Sequence, residues 1–269
     1  MASADPATGT AAYPQDDRQR AVPAPAAAPA LSVVVPVRNE ADNIRPLIDE
    51  IVAALSGRIA FEIVYVDDGS TDGTAAALAA AAADVPALRR LVHAAGAGQS
   101  AAVLTGVLAA RAPLVATLDG DGQNDPADIP RLLQALDGAG GPARVQAVQG
   151  VRVRRQDDVA RRVASRVANA VRRRLLRDDA TDSGCGIRLF AREAFLRLPY
   201  FDHMHRFLPA LLRREGFAAI AVPVNHRARE RGRSNYGTWD RLWVGIVDLL
   251  GVMWLVRRRN RPDVTSEER

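Results

Sequence analysis

The run LSVVVPV (Leu31 to Val37) is apolar and β-branched at nearly every position and opens abruptly after an Ala/Pro-rich stretch, the pattern of a buried strand. The following NEADNIRPLIDEIVAAL places Ile44, Leu47, Ile48, Ile51 and Leu55 at helical spacing, with Asn39 or Asp42 available as a cap. FEIVYVDD predicts a second strand, STDGTAAALAAAAADV a second helix behind a Ser/Thr/Asp cap, LRRLVHA a third strand, SAAVLTGVLAARA a third helix and PLVATLD a fourth strand. This alternation implies βαβ crossovers and a largely parallel sheet whose strand carboxyl ends gather on one edge, where ligands bind in open sheets. PVRNE, VDDGS, AAGAGQS and DGDGQ all fall on that edge, and their convergence carries more than any one of them.

Beyond Gly150 the pattern changes. Val159, Val163, Val167, Val171 and Leu175 recur every four residues among arginines, which predicts a basic amphipathic helix. TDSGCGIRLFAREAFLRL follows, then MHRFLPALLRREGF as a helix, then AIAVPVNHRARERGRSNYG as a strand and a polar loop. The apolar part of LWVGIVDLLGVMWLVRRRNRP would span roughly 22 Å as a helix, short of a hydrocarbon core of about 30 Å. Trp243 and Trp254, with Arg257, Arg258 and Arg259 behind them, read as an interfacial anchor on an anionic leaflet; the alternative is a helix packed on the sheet. The first ~29 residues lack a charged region followed by an apolar core, so they read as a disordered tail and not as a signal peptide or a span. The expected organisation is a tail over 1–29, one α/β domain over 30–240, a C-terminal helix over 241–261 and a polar tail over 262–269.

A chain of 269 residues, 48% hydrophobic, can bury a substantial core. All 36 of its Lys+Arg residues are arginine, a bias that reflects base composition more than function, and the net charge is only +5. Most of the arginines follow residue 150, however, which points to an anionic partner such as a phosphate or a lipid surface. No nucleic-acid-binding motif supports a nucleic-acid partner. The single cysteine, Cys185, cannot form an internal disulfide.

Three stretches carry candidate chemistry. In TLDGDGQNDP, Asp119 and Asp121 sit one residue apart on a turn, where two carboxylates can hold one hard cation such as Mg2+ or Mn2+ while open positions take phosphate oxygens; the plain alternative is the polar end of a strand. GAGQSA (Gly96 to Ala101) satisfies the dinucleotide pattern, but on the third strand–helix turn and not the first, which argues against a nicotinamide enzyme. In VDDGSTDGT the carboxylates either cap the next helix, as for Asp67, or accept the ring N–H of a uracil or guanine.

VVVPVRNE, VDDGSTDGT, LDGDGQNDP, DSGCGIRLF and HRARERGRSNYG, in this order, resemble the family 2 glycosyltransferases of GT-A fold, and among them the branch of dolichol-phosphate mannosyltransferase and bacterial polyprenyl-phosphate glycosyltransferases. The resemblance covers about residues 30 to 260. It implies a mostly parallel central sheet with helices on both faces, and a nucleoside pocket lined by Pro36, Arg38 and Glu40, with Arg38 where relatives usually have Tyr. Asp68 would contact the base with Val66 beside it, and Asp119, Asp121 and Gln123 would hold the metal. Arg229 and Ser234 match the loop that closes on the donor diphosphate, although Asn235 stands where relatives carry Lys, leaving Arg231 or Arg233 to supply that charge. Arg152 in GVRVRR and Arg166 in SRVAN match arginines that bind the acceptor phosphate; the alternative is a solvated helix face.

The implied reaction is an inverting transfer of a sugar from a nucleoside-diphosphate sugar to a polyprenyl phosphate, at the cytoplasmic face of the membrane, by a peripherally bound protein, alone or docked on an integral-membrane partner. An anionic phosphate acceptor needs no strong base. A saccharide hydroxyl acceptor, as in envelope polysaccharide synthesis, would need one, and Asp182 in TDSGCG is the available carboxylate. A non-catalytic sugar-nucleotide-binding scaffold is the remaining alternative, against which the intact Asp119, Asp121, Gln123 and Arg229 speak.

Overall fold

The computed structural model describes residues 28–153, 170, 172–176, 182–228 and 238–259. Among them one sheet is formed by β1 (Leu31–Val37), β2 (Phe61–Asp67), β3 (Leu88–Val92), β4 (Leu114–Thr117), β5 (Ala147–Arg152), β6 (Arg188–Ala191) and β7 (Ala219–Val224), in the order β3-β2-β1-β4-β6-β5-β7. β1 pairs in parallel with β2 and β4, β2 with β3, and β5 with β7. β6 alone runs the other way, antiparallel to β4 and β5. The expected mostly parallel sheet is present, with one reversed strand in its middle.

The helices whose full extent lies among the described residues are α1 (Ala41–Leu55), α2 (Thr74–Asp84), α3 (Gln99–Ala109), α4 (Ile129–Gly138), α5 (Arg192–Leu196), α6 (Leu208–Arg214) and α7 (Thr238–Arg257). They cover both faces. Along β1, Leu31, Val33, Val35 and Val37 join the core built on α1, α2 and α4, while Val34 joins a second core that contains α3, α5 and α6. A strand buried on both sides reads as a continuous apolar run, which is why LSVVVPV shows no alternation.

MHRFLPALLRREGF does not form one helix. His203 takes a left-handed φ of 63°, Met204–Phe207 form a 3-10 turn, and α6 starts only at Leu208 with Pro209 in its first turn, where the missing N–H costs no hydrogen bond. The expected basic helix lies mostly outside the described residues; residues 172–176 are helical, with Arg172 and Leu176 buried.

α7 starts at Thr238 and ends at Arg257, displaced from the expected 241–261. Val252 is buried, Leu249, Met253 and Val256 pack against the second core, and Arg214 Nε donates to the Leu255 carbonyl at 3.0 Å. Ile246, Val247, Leu250 and Trp254 remain between 43% and 58% exposed, and the Arg258 guanidinium stacks 5.9 Å from the Trp254 ring centroid. The helix thus packs along one stripe and presents apolar side chains along another. No helix among the described residues is long and apolar enough to cross a membrane.

Gly106 sets how closely α3 approaches the sheet, since a Cβ there would stand 2.4 Å from Val34 Cγ1 and 3.3 Å from Val66 Cγ2. Gly106→Ala gains helix propensity but forces α3 off a central, β-branched strand. A net loss of about 1–2 kcal/mol in denaturant unfolding is expected.

Candidate active site

The parallel register brings the first two strand ends level, Val37 beside Asp67. Their loops are then stitched together. Asn39, at a left-handed φ of 56°, donates its N–H to Ser70 Oγ at 2.9 Å and accepts the Thr71 N–H on Oδ1 at 2.8 Å. Glu40 N–H donates to Thr74 Oγ1 at 2.9 Å, and Asp67 Oδ1 accepts the Ser70 N–H at 2.9 Å, so Asp67 closes the turn. Glu40 itself receives Asn43 Nδ2 at 2.6 Å.

Asp68 fixes the third loop. Its Oδ1 accepts the Ala97 N–H at 2.8 Å and meets His93 Nδ1 at 2.8 Å, and its Oδ2 accepts the Gly98 N–H at 2.8 Å. Burial pushes this carboxyl up, but the amides and the His93 ring outweigh it and hold the pKa below the ordinary carboxylate value. The dinucleotide-like loop therefore spends its amides on a carboxylate of its own chain. Gly69 (φ +66°) allows the contact, because a Cβ there would stand 2.6 Å from the Gly96 nitrogen. Arg38 is exposed and lays its guanidinium against Gly96, where a Cβ would meet Nη1 at 2.4 Å. Val66, expected beside the base, is wholly buried, with its Cγ2 close to Gly106 in the core under α3.

The acidic loop follows β4. Asp119 N–H donates to Asn124 Oδ1 at 3.0 Å, Gln123 N–H to Asp121 Oδ1 at 3.1 Å, and Ala127 N–H to Asp125 Oδ1 at 3.0 Å, so Asp125 caps the 3-10 turn Pro126–Asp128. Asp119 Oδ1 accepts Gln99 Nε2 at 2.8 Å. Burial first, and the neighbouring Asp121 second, raise the Asp119 carboxyl from 3.8 to about 6, against the pull of Arg188 and Gln99. The mutual repulsion of two close carboxylates is what a divalent ion relieves. No group of three His, Cys, Asp or Glu side chains suited to a metal occurs among the described residues, so a cation at Asp119 and Asp121 would need further ligands, such as Gln123 or substrate oxygens.

The stretch before β6 completes the site. Thr117 Oγ1 donates to the Gly186 carbonyl at 2.8 Å, and a Cβ on Gly186 would stand 2.1 Å from Asp119 Oδ2. Arg188, 7% exposed, gives Nε to Gln149 Oε1 at 2.9 Å and Nη2 to the Ser183 carbonyl at 2.8 Å. Arg152 and Asp182, expected in separate roles, form a two-pronged pair: Nε to Oδ2 and Nη2 to Oδ1, both at 2.7 Å. The carboxylate expected as a possible base is thus clamped by the arginine expected to hold a phosphate. Burial pushes the Cys185 thiol up to about 11, so it is not a nucleophile at neutral pH.

Pro36, Gln99, Asp119, Gly186 and Arg188 line a cavity of about 250 Å3, together with His205 and Arg206. Arg188, His205 and Arg206 are not among the residues expected in the site; their signal is a cationic or titratable residue inside an otherwise apolar run, Arg188 in IRLF and His205 with Arg206 in MHRFL. After β7 the chain returns to the acidic loop. Asn225 N–H donates to Asp128 Oδ2 at 2.6 Å, His226 bridges Asn124, and Arg227 N–H donates to the Gln123 carbonyl at 3.0 Å. The Arg227 guanidinium joins Glu50 at 2.7 Å and Asp125 at 2.8 Å. Arg229, Arg231, Arg233, Ser234 and Asn235 in the segment beyond it, and Arg166, lie outside the described residues.

Residues 32–198 match the glycosyl transferase family 2 model. The chain belongs to this family. Over 243 residues it is 35% identical to the dodecaprenyl-phosphate galacturonate synthase of Rhizobium johnstonii, covering 86% of this chain and 69% of that protein. It is 35% identical over 210 residues to the undecaprenyl-phosphate 4-deoxy-4-formamido-L-arabinose transferase of Edwardsiella ictaluri, covering 77% of this chain but 63% of that protein. Among solved structures, glucosyl-3-phosphoglycerate synthase from Mycobacterium tuberculosis, in complex with Mn2+, UDP and glucosyl-3-phosphoglycerate, superposes with a TM-score of 0.62 at 20% identity over 85% of this chain and 80% of that one. A mannosyltransferase from Pyrobaculum calidifontis, in complex with GDP-Man and Mn2+, does so with a TM-score of 0.60 at 24% identity over 90% of this chain and 68% of that one. This family 2 glycosyltransferase therefore has the expected GT-A fold.

Because the Asp119 carboxyl is raised, the fold disfavours its charged form. In the metal-free protein the contribution of this one group to stability should fall as pH climbs from 3.8 to about 6 and stay at the lower level above that, opposite in sign to carboxylates held below their ordinary pKa such as Asp68. Asp119→Asn is expected to raise the stability of chelator-treated protein at pH 8 by about 1–2 kcal/mol, with no gain at pH 4, read by thermal unfolding at both pH values.

Proposed function

We propose that this glycosyltransferase moves a sugar from a nucleoside-diphosphate sugar of the GDP-mannose or UDP-hexose type to a polyprenyl phosphate, in a single displacement with inversion. The observation that carries this reading is the chemistry of the cavity beside Asp119: Arg188, His205 and Arg206 line it, and Asp119 is the only carboxylate among its described lining residues. Asp182, the other candidate base, is engaged by both nitrogens of the Arg152 fork. A hydroxyl acceptor would have to lose its proton to a base there, whereas a phosphate monoester arrives already charged and is attracted by the same arginines. The relatives named for dodecaprenyl and undecaprenyl phosphate support the same acceptor class.

In this reading a lone pair of the acceptor phosphate oxygen forms the bond to the anomeric carbon as the bond to the diphosphate breaks. The chain aligns the two partners and stabilises the departing nucleoside diphosphate. Asp119, Asp121 and Gln123 would hold Mg2+ or Mn2+, which supplies charge neutralisation to the diphosphate. Pro36, Arg38, Glu40 and Asp68 border the nucleoside, and Arg229 with Ser234 completes the diphosphate site. Asp182 positions Arg152 for the acceptor and does not act as a base.

The exposed stripe of α7 would rest on the cytoplasmic membrane surface, with Trp254 and the arginines after it at the headgroup level, alone or beside an integral-membrane partner. Since Val252 is buried, deleting α7 would damage the core, and surface substitutions test the idea instead. Exchanging Ile246, Leu250 and Trp254 for Glu should release the protein from vesicles of anionic lipid in a flotation assay without changing its thermal unfolding. Unchanged flotation refutes the docking.

The reaction is tested with a panel of nucleoside-diphosphate sugars, Mg2+ or Mn2+, and an isoprenyl phosphate, scoring nucleoside diphosphate and glycolipid together. Both products should appear for at least one donor, and Asp121→Ala should reduce transfer by at least ~100-fold. Transfer that survives Asp121→Ala sinks the metal assignment, and nucleoside diphosphate without glycolipid brings a hydroxyl acceptor forward.

A further inference from the structure

The 3-10 turn Met204–Phe207 is anchored by the buried side chains of Met204 and Phe207 and presents His205 and Arg206 to the cavity that contains Asp119. Ser100, only 1% exposed, decides the state of the His205 ring. Ser100 Oγ accepts the His205 backbone N–H at 3.3 Å and lies 2.7 Å from ring Nδ1. The buried hydroxyl has no other acceptor among the described residues, so its proton goes to Nδ1 and the ring proton sits on Nε2. Burial, then the nearby Arg188 and Arg206, hold the His205 pKa well below its ordinary value, so the ring stays neutral and Nε2 remains a donor.

Arg206 adjoins this donor. It is half-buried, its backbone N–H donates to the His203 carbonyl at 3.0 Å, and its guanidinium has no hydrogen bond or ion pair among the described residues, whereas Arg188 already gives Nε and Nη2 to Gln149 and Ser183. A half-buried guanidinium and a fixed N–H donor, both uncommitted and both on a rigid turn, form a seat for an oxyanion. Arg152, whose Nε and Nη2 are engaged by Asp182, offers less of its fork to the acceptor and would assist this seat, not replace it.

We propose that Arg206, with the Nε2–H of His205, binds the phosphate oxyanion of the acceptor and sets it beside the donor sugar. This rests on the polyprenyl-phosphate reading above. The same seat suits a carboxylate on the donor sugar, and the two sources separate in kinetics.

The full chain is assayed with farnesyl phosphate and two donors, one neutral and one bearing a uronic carboxylate. Arg206→Gln is expected to raise KM for farnesyl phosphate about tenfold or more, and to leave KM for the neutral donor within about twofold. Arg206→Lys should recover most of the loss, and Ser100→Ala, which frees the ring tautomer, should raise the same KM by a smaller factor. A thermal unfolding curve matching wild type separates these effects from misfolding, and Arg206→Met, which also removes the charge, serves with the same expected KM rise if Arg206→Gln does not fold. An unchanged KM for farnesyl phosphate in Arg206→Gln overturns the proposal while leaving the transferase reading intact. A KM rise confined to the uronate donor also overturns it and assigns the seat to the donor sugar. If wild type transfers to no isoprenyl phosphate with any donor, the functional reading itself falls, and the acceptor seat with it.

Discussion

The site depends on one reversed strand. Parallel strands send their carboxyl ends to a common edge, so β1, β2, β3 and β4 deliver their loops there by direction alone. β6 runs against them, with Arg188 paired to Thr117 at the end of β4, so it brings the residues before it to that same edge. Through this reversal Asp182, Ser183, Cys185, Gly186 and Arg188 stand beside Asp119, and the sheet edge gains a cationic floor that an all-parallel arrangement would have kept on the far side. The acidic loop and its counter-charges come from the adjoining ends of the two strands of a single antiparallel pairing.

Around that pairing, polar groups hold the loops in place of hydrophobic contacts. Asp68 collects amides from the third loop, Asn39 ties the first loop to the second, and Arg227 fastens the segment after β7 to Glu50 and Asp125. The acidic loop is therefore clasped from both sides, by Gln99 and Gly186 on one and by Asn225 to Arg227 on the other. Loops tied to one another in this way act as a unit: a change in one strand end is felt at the others.

The strand and helix alternation up to Thr117 was legible because buried parallel strands and amphipathic helices such as α1 differ in period. The break inside MHRFLPALLRREGF was not, since neither the left-handed His203 nor the 3-10 turn leaves a mark on hydrophobic spacing. The dual nature of α7 was equally hidden: its apolar residues cover most of its circumference, and spacing alone does not say which stripe meets the core. In the candidate site, the placement of Asp119 and Asp121 just after a strand end was legible. The pairing of Arg152 with Asp182, residues 30 positions apart, was not, because each alone fits a role toward substrate and only the fold shows that they fill each other's valences. His205 and Arg206 escaped notice for a related reason. Inside a presumed amphipathic helix, polar residues are assigned to solvent, and here they turn to the cavity.

Gly186 adds a lesson about how such sites are stored in a sequence. The room for Asp119 Oδ2 is made by an atom that is missing, since the first carbon of any side chain at position 186 would occupy it. Part of the pocket is thus encoded as an omission. A survey that removes side chains one by one, recording what each contributed, passes over this position without a reading. Only adding matter would reveal it, and the smallest possible addition is a single methyl group.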